Sequence, residues 1–146
     1  MIVLEKMRAK SVDLSMFFVL SKTNTIGNQF LAELRDAETQ QDRLRFRRNQ
    51  ERIGEILAYE ISKKLKYITR EVQTPLGTAT VDVPVTQPVL GTILRAGLPF
   101  HQGFLNVFDK SPSAFITAYR KVRKNGDFII NIDHIATPNL DGKILI

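Results

Sequence analysis

The chain has 146 residues, of which 43% are hydrophobic and 25% charged, with two histidines and no cysteine. That length predicts one domain around one core. The composition excludes a disulfide framework, a thiolate metal site, a cysteine nucleophile and a histidine-rich metal centre. The net charge of +6 attracts anions of many kinds without choosing among nucleic acid, phosphorylated metabolites and acidic membrane surfaces.

Near the N-terminus, Lys6, Arg8 and Lys10 precede the apolar stretch from Met16 to Leu20. This is not read as a signal peptide: the run is short, Asp13 interrupts its approach and no small-residue cleavage site follows. No run approaches the roughly 20 apolar residues of a membrane span, so a soluble, cytoplasmic protein is expected. Residues 14–20 predict a short strand or apolar arm, and residues 29–34 a short helix. Thr39 stands three residues before Asp42, a spacing that can cap a helix start. Beyond it Phe46, Ile53, Leu57, Ile61 and Leu65 recur at helical spacing, with Ile56 beside them. A helix is expected over about 40–65. Its other face carries Arg43, Arg47, Arg48, Arg52 and Glu55, read as a solvated surface with Glu51 and Glu55 as counter-charges.

The period then changes. Residues 70–74 read as extended, the Pro75-Leu-Gly77 step as a turn, and residues 78–83 as a half-buried strand, together a hairpin arm. Residues 89–94 form an apolar strand. Pro99 suits the first turn of a helix, and Phe104, Leu105 and Phe108 share one face of it. FITAY, residues 115–119, lies in the next strand, which is expected over 114–119. DFIINI, residues 127–132, is a third. A turn over 138–142 leads into KILI, residues 143–146, expected to begin a fourth. Strand, helix and strand over 89–119 make a βαβ unit, so the fold class is α/β with an at least partly parallel sheet.

The chemistry concentrates at LRAG, residues 94–97. Ligands of α/β sheets bind at the carboxyl ends of strands. A helix N-terminus there offers N–H groups and positive dipole to a phosphate. Gly97 lets the backbone come close to an anion or take an unusual conformation. Arg95 adds a planar donor fork. The plainer alternative is a tight turn with a surface arginine. Tyr119 and Arg120 end the next strand, where a second arginine can converge on the same polyanion. Lys121, Arg123 and Lys124 follow and are read as a solvated loop. His101, just inside the helix, reads as a polar surface residue, with a role at the anion site as the alternative. His134 follows a strand without obvious ligand partners.

From about residue 24 to the last, the chain resembles the uracil phosphoribosyltransferases. The resemblance is carried by QFLAELRDAETQQDRLRFRRNQERIGEILAYEISKKL, then TPLGTATV, then ILRAGLPFHQGFLNVF, then AYRK. It implies transfer of the phosphoribosyl group of 5-phosphoribosyl-1-diphosphate to uracil, giving UMP and diphosphate, with Mg²⁺ carried on the substrate and no protein metal site. It implies a Rossmann-like type I phosphoribosyltransferase core with an N-terminal arm and a β-hairpin. Diphosphate binding would fall on Arg95, Ala96 and Gly97, further sugar-diphosphate contact on Arg120 with Tyr119 beside it, and dimer formation on the hairpin at 70–83. No catalytic residue is identifiable, and no covalent nucleophile is required.

The family also carries a DPMLATG-like motif for the ribose 5-phosphate, after an apolar strand. Here the turn and the start of that strand are present and the chain ends at Ile146. Asp133 and Thr137 fall before that strand and are not the motif. The uracil pocket is likewise missing. The expectation is half of a substrate site and no competent catalysis by the 146 residues alone. A fragment of a longer protein is favoured over a short product that needs a partner to cover its sheet. The competing readings are a non-catalytic regulator that binds nucleotides or RNA, and a dimerising fragment. No RNA-recognition motif or aromatic platform supports the first.

Overall fold

The second helix begins where a side chain can satisfy its free amides. In the computed structural model, which describes residues 18–122 and 126–146, Asp42 Oδ1 accepts from the N–H groups of Leu44 and Arg45, each at 3.0 Å. This caps α2 (Arg43–Ser62), as a short acidic side chain at an N-cap should. Thr39, the expected cap, instead opens a 3-10 turn, Thr39–Gln41. Asp36 holds that turn by accepting from the N–H groups of Thr39 and Glu38. Before it, α1 (Ile26–Arg35) is capped by Thr25 Oγ1, which accepts from Gly27 N–H. Of the expected arm, residues 14–17 lie outside the described residues, and Leu20–Lys22 form a 3-10 turn rather than a strand.

Two sheets follow. β1 (Tyr67–Thr74) and β2 (Gly77–Pro84) pair antiparallel as the expected hairpin, in a sheet of their own. The second sheet has the order β3-β4-β5, from β3 (Leu90–Leu94), β4 (Ser113–Val122) and β5 (Phe128–Ala136). β3 and β4 are parallel, joined through α3 (Leu98–Val107), and β4 and β5 are antiparallel. The expected βαβ unit and partly parallel sheet are therefore present. The expected fourth strand at 143–146 is reduced to one bridge, Val89 with Leu145. Backbone bonds hold it beside β3: Val89 and Gly91 donate to the Ile144 and Ile146 carbonyls at 2.7 and 2.6 Å, and Ile146 donates back to Val89. Residue His134 lies inside β5, not after a strand. Its neighbour Asp133 is an extra residue in the ladder, because Thr117 pairs with His134 and Ala118 with Ile132, the count of a β-bulge.

The core lies between α2, α3 and β3. Ala58, Leu90, Phe104 and Phe108 are buried there, with Leu57, Ile61, Leu65, Leu105 and Ile146 against them. The apolar stripe read for α2 is only partly the buried one. Asn49, Ile53, Gly54 and Ala58 are its buried residues. Gly54 and Gly103 let α2 and α3 touch backbone to backbone. A Cβ at Gly54 would lie 2.5 Å from the Phe100 carbonyl oxygen, and one at Gly103 would run into the Glu51 carbonyl.

Polar groups lock the same helices. Asn49 is fully buried; its Nδ2 donates to Glu33 Oε2 at 2.6 Å and its Oδ1 accepts from Arg52 at 3.0 Å. Glu33 also accepts from Gln29 and Arg45, and these donors, Asn49 first, hold its carboxyl below the ordinary value. Glu51 accepts from Arg48, but Glu51 and Glu55 also accept from Asn106 of α3, at 2.9 and 2.6 Å. Glu55 is thus a helix-packing residue and not part of a solvated arginine face. Among the described residues, no helix is long and apolar enough to cross a membrane.

Alanine at Gly103 gains about 1 kcal/mol of helix propensity, yet its methyl must separate the helices, which costs about 1–3 kcal/mol. We expect Gly103→Ala to be net destabilising, read as a lower urea midpoint with an unchanged slope. A rise in the midpoint would mean that the two helices are not in contact here.

Candidate functional site

β3 alternates about its plane, as a strand must. Leu90 enters the core beneath α3, while Ile93 is 58% exposed on the other side. The strand ends at Leu94, the peptide between Leu94 and Arg95 is cis, and three residues later α3 begins. The turn is closed by its own backbone: Gly97 N–H donates to the Ile93 carbonyl and Leu98 N–H to the Arg95 carbonyl, both at 3.2 Å. Pro99 sits in the first turn of α3 and has no N–H to give. The helix start therefore presents fewer free donors than its position implies. The Ala96 N–H has no hydrogen-bond partner among the described residues. It and the exposed Arg95 are the donors that this turn leaves open to solvent.

Gly97 does not adopt an unusual conformation. Its φ of −73° and ψ of −12° are open to any residue. Glycine is needed for space: a Cβ would run into Thr92 Oγ1 and lie 2.9 Å from the Ile93 carbonyl.

Arg95, Ala96 and Gly97 form one wall of an open cleft of about 1130 Å³. Ala114, Ile116 and Ala118 of β4 make its floor, and Ile135, Thr137, Leu140 and Leu145 its far side. Tyr119 also lines it. Its hydroxyl accepts from Asn131 Nδ2 at 3.1 Å. Arg120 does not line the cleft. Its guanidinium lies over the Phe128 ring, 4.2 Å from the centroid, within cation–π range. β4 runs on through Val122, so Tyr119 and Arg120 lie within a paired strand and not at its end, and Lys121 belongs to the strand too. Arg123 and Lys124 lie outside the described residues. The structure thus brings Arg95, Ala96, Gly97 and Tyr119 to one cleft and leaves Arg120 beside it. No group of three His, Asp or Glu side chains able to hold a metal occurs among the described residues.

His101 is not a surface residue. It is 6% exposed, its Nε2 is 3.0 Å from Ser113 Oγ, and its ring packs on Phe115 with centroids 5.4 Å apart. It pins α3 to the start of β4, on the face away from the cleft. A lone polar residue in an otherwise apolar helical stripe was the available signal. Burial holds its pKa below the ordinary value of 6.5.

Residues 20–133 match the family model described as uracil phosphoribosyltransferase. A uracil phosphoribosyltransferase of Porphyromonas gingivalis is 54% identical over 127 residues, covering 87% of this chain and 59% of its own length. One from Methanothermobacter thermautotrophicus is 43% identical over 104 residues, 69% of this chain and 47% of its own length. Among solved structures, the AQ2163 protein from Aquifex aeolicus superposes with a TM-score of 0.67 at 25% identity, over 84% of this chain and 57% of that one. The chain therefore spans between 47% and 59% of the length of these relatives.

The buried imidazole sets a pH dependence. The unfolded chain takes up a proton as pH falls below 6.5 while the folded chain resists it, so His101 contributes stability above that value and loses it below. Between about pH 7.5 and 5.5 the thermal midpoint should fall further for the wild type than for His101→Gln. Parallel profiles for the two proteins would refute the assignment.

Proposed function

This chain belongs to the uracil phosphoribosyltransferase family, and on that premise we propose that its protein transfers the phosphoribosyl group of 5-phosphoribosyl-1-diphosphate to uracil, releasing diphosphate and forming UMP. The observation that carries this reading is the Arg95-Ala96-Gly97 turn, at the carboxyl end of a parallel strand, on the wall of an open cleft. In the reaction the bond from the anomeric carbon to diphosphate breaks and a bond to a uracil ring nitrogen forms. The uracil N–H proton is lost, and the leaving group carries away the electron pair. Charge builds on diphosphate as the sugar becomes oxocarbenium-like. Donors fixed in advance at that position lower the barrier because they need no reorganisation. Arg95 presents two parallel N–H donors to phosphate oxygens, and the Ala96 N–H adds a third. Tyr119 walls the cleft beside them, and Arg120, seated on Phe128, adds positive charge nearby.

The cleft wall at 95–97 supplies no carboxylate. In this reading Mg²⁺ enters as its complex with phosphoribosyl diphosphate, held on the substrate's own oxygens. A nucleic-acid role has less support, because Arg45, Arg48 and Arg52 are each engaged by Glu33, Glu51 or Asn49.

We also propose that the protein is a dimer through its hairpin. Pairing of Ile68 with Val83, Arg70 with Val81 and Val72 with Ala79 puts these residues on one face. Ile68, Val72 and Val81 are all more than 40% exposed there. An isolated two-stranded hairpin is marginal in water, and exposed apolar side chains grouped on one face support an interface there.

Protein purified from its natural source should form UMP from uracil and phosphoribosyl diphosphate with Mg²⁺. Arg95→Lys keeps the charge but loses the fork, and should weaken phosphoribosyl diphosphate binding by about tenfold in titration calorimetry. Absence of both UMP formation and binding would sink the reading. For the dimer, sedimentation should change from two chains to one on Val72→Glu. A wild type that sediments as a monomer at every concentration would refute it.

A further inference from the structure

We propose that Thr92 is a positioning residue: its branched side chain is the rigid seat on which the Arg95-Ala96-Gly97 turn rests. The inference builds on the diphosphate-binding role proposed for that turn.

Thr92 lies two residues after Leu90 in β3, next to the turn, where it lines both the edge of the cleft and the small cavity under α3. Gly97 packs onto it so closely that a Cβ there would run into Thr92 Oγ1 and lie 3.5 Å from Thr92 Cβ. The contact between Thr92 and Gly97 is steric, made by Thr92 Oγ1 and Cβ against the Gly97 backbone. That contact is one of shape. A β-branched side chain suits this task, because two heavy atoms on Cβ leave χ1 little freedom. A stop that cannot rotate fixes the height of Gly97 above the sheet. Through the Gly97 bond to Ile93 and the Leu98 bond to Arg95, it also fixes the orientation of the Ala96 amide and the root of the Arg95 side chain. The backbone geometry is thus specified from both sides. Gly97 removes the atom that would collide, and Thr92 supplies the surface it meets. Displacements well under a bond length matter at such a site, because donors stabilise developing charge only when correctly placed.

The experiment compares Thr92→Ala, which removes the seat, with Thr92→Val, which keeps its shape without the hydroxyl. Two quantities are read: the affinity for Mg²⁺–phosphoribosyl diphosphate, and hydrogen exchange at the Gly97 and Leu98 amides without ligand. Thr92→Ala should speed exchange at both amides and weaken binding, each by about tenfold. Thr92→Val should stay within about threefold of wild type in both. In the pair Gly97→Ala and Thr92→Ala, the losses should be less than additive, because the second change removes part of the collision made by the first. Unchanged exchange in Thr92→Ala overturns the proposal. So does a Thr92→Val as weak in binding as Thr92→Ala with slow exchange retained, which would make the hydroxyl a direct ligand contact. If wild type binds no phosphoribosyl diphosphate, the functional reading fails, and the exchange rates alone decide the seat.

Discussion

The place where α2 meets α3 without side chains between them governs the rest of the structure. Gly54 lies against the Phe100 carbonyl and Gly103 against the Glu51 carbonyl. Glycine inside a helix costs about 1 kcal/mol relative to alanine, and here two are retained where two backbones touch. The contact fixes α3 relative to α2. Phe104 and Phe108 then fill the space above Leu90, and the His101–Ser113 bond stops α3 from turning about its axis. The N-terminus of α3 is left with one position relative to β3. The turn at 95–97 spans the gap between two rigid elements, and it inherits their rigidity.

The charged residues serve the same end. A surplus of arginine on α2 looks like an electrostatic surface, yet Arg45 and Arg52 are bound into the α1–α2 junction and Arg48 pairs with Glu51 of its own helix. Glu33 gathers Asn49, Gln29 and Arg45, and Arg52 bonds Asn49 while lying 5.0 Å from the Phe30 ring centroid. A buried amide such as that of Asn49 is tolerated only when both its ends find partners, and Asn49 has them in Glu33 and Arg52. Positive charge on the cleft wall comes from Arg95, not from the helix, and Arg120 stands beside the cleft on Phe128.

The sheet has two unlike faces. α3 covers one. The other carries Ile93, Ile130, Ile132 and Ile135, each more than half exposed. The cleft opens on this side, so its floor is apolar and its charged wall is confined to the turn. That division suits a ligand with a polyanionic end and a flatter, less polar end.

Local patterns settled a good deal. Alternation and helical spacing located the hairpin, the βαβ unit and α2, because each depends on neighbours two to four residues apart. LRAG, between an apolar strand and a proline-led helix, identified the turn that walls the cleft. The motif strings identified the family. Other features were set only by contacts between residues distant in the chain. Asp42 displaced Thr39 as the cap because the intervening residues wound into a 3-10 turn. His101 became buried because Ser113 and Phe115 close over it. Glu55 turned to Asn106, 51 residues away. Gly97 proved necessary for clearance over Thr92 and not for its dihedral angles, a distinction invisible until strand and turn are stacked. Arg120 left the cleft for Phe128 because β5 folds back beside β4. The sequence by itself determined the main helices, the hairpin and the βαβ unit, though not the 3-10 turn at Leu20–Lys22 or the single bridge at Leu145, since backbone periodicity is local. The tertiary structure alone decided which side chains are buried, paired or free to act, since those depend on what the fold brings against them.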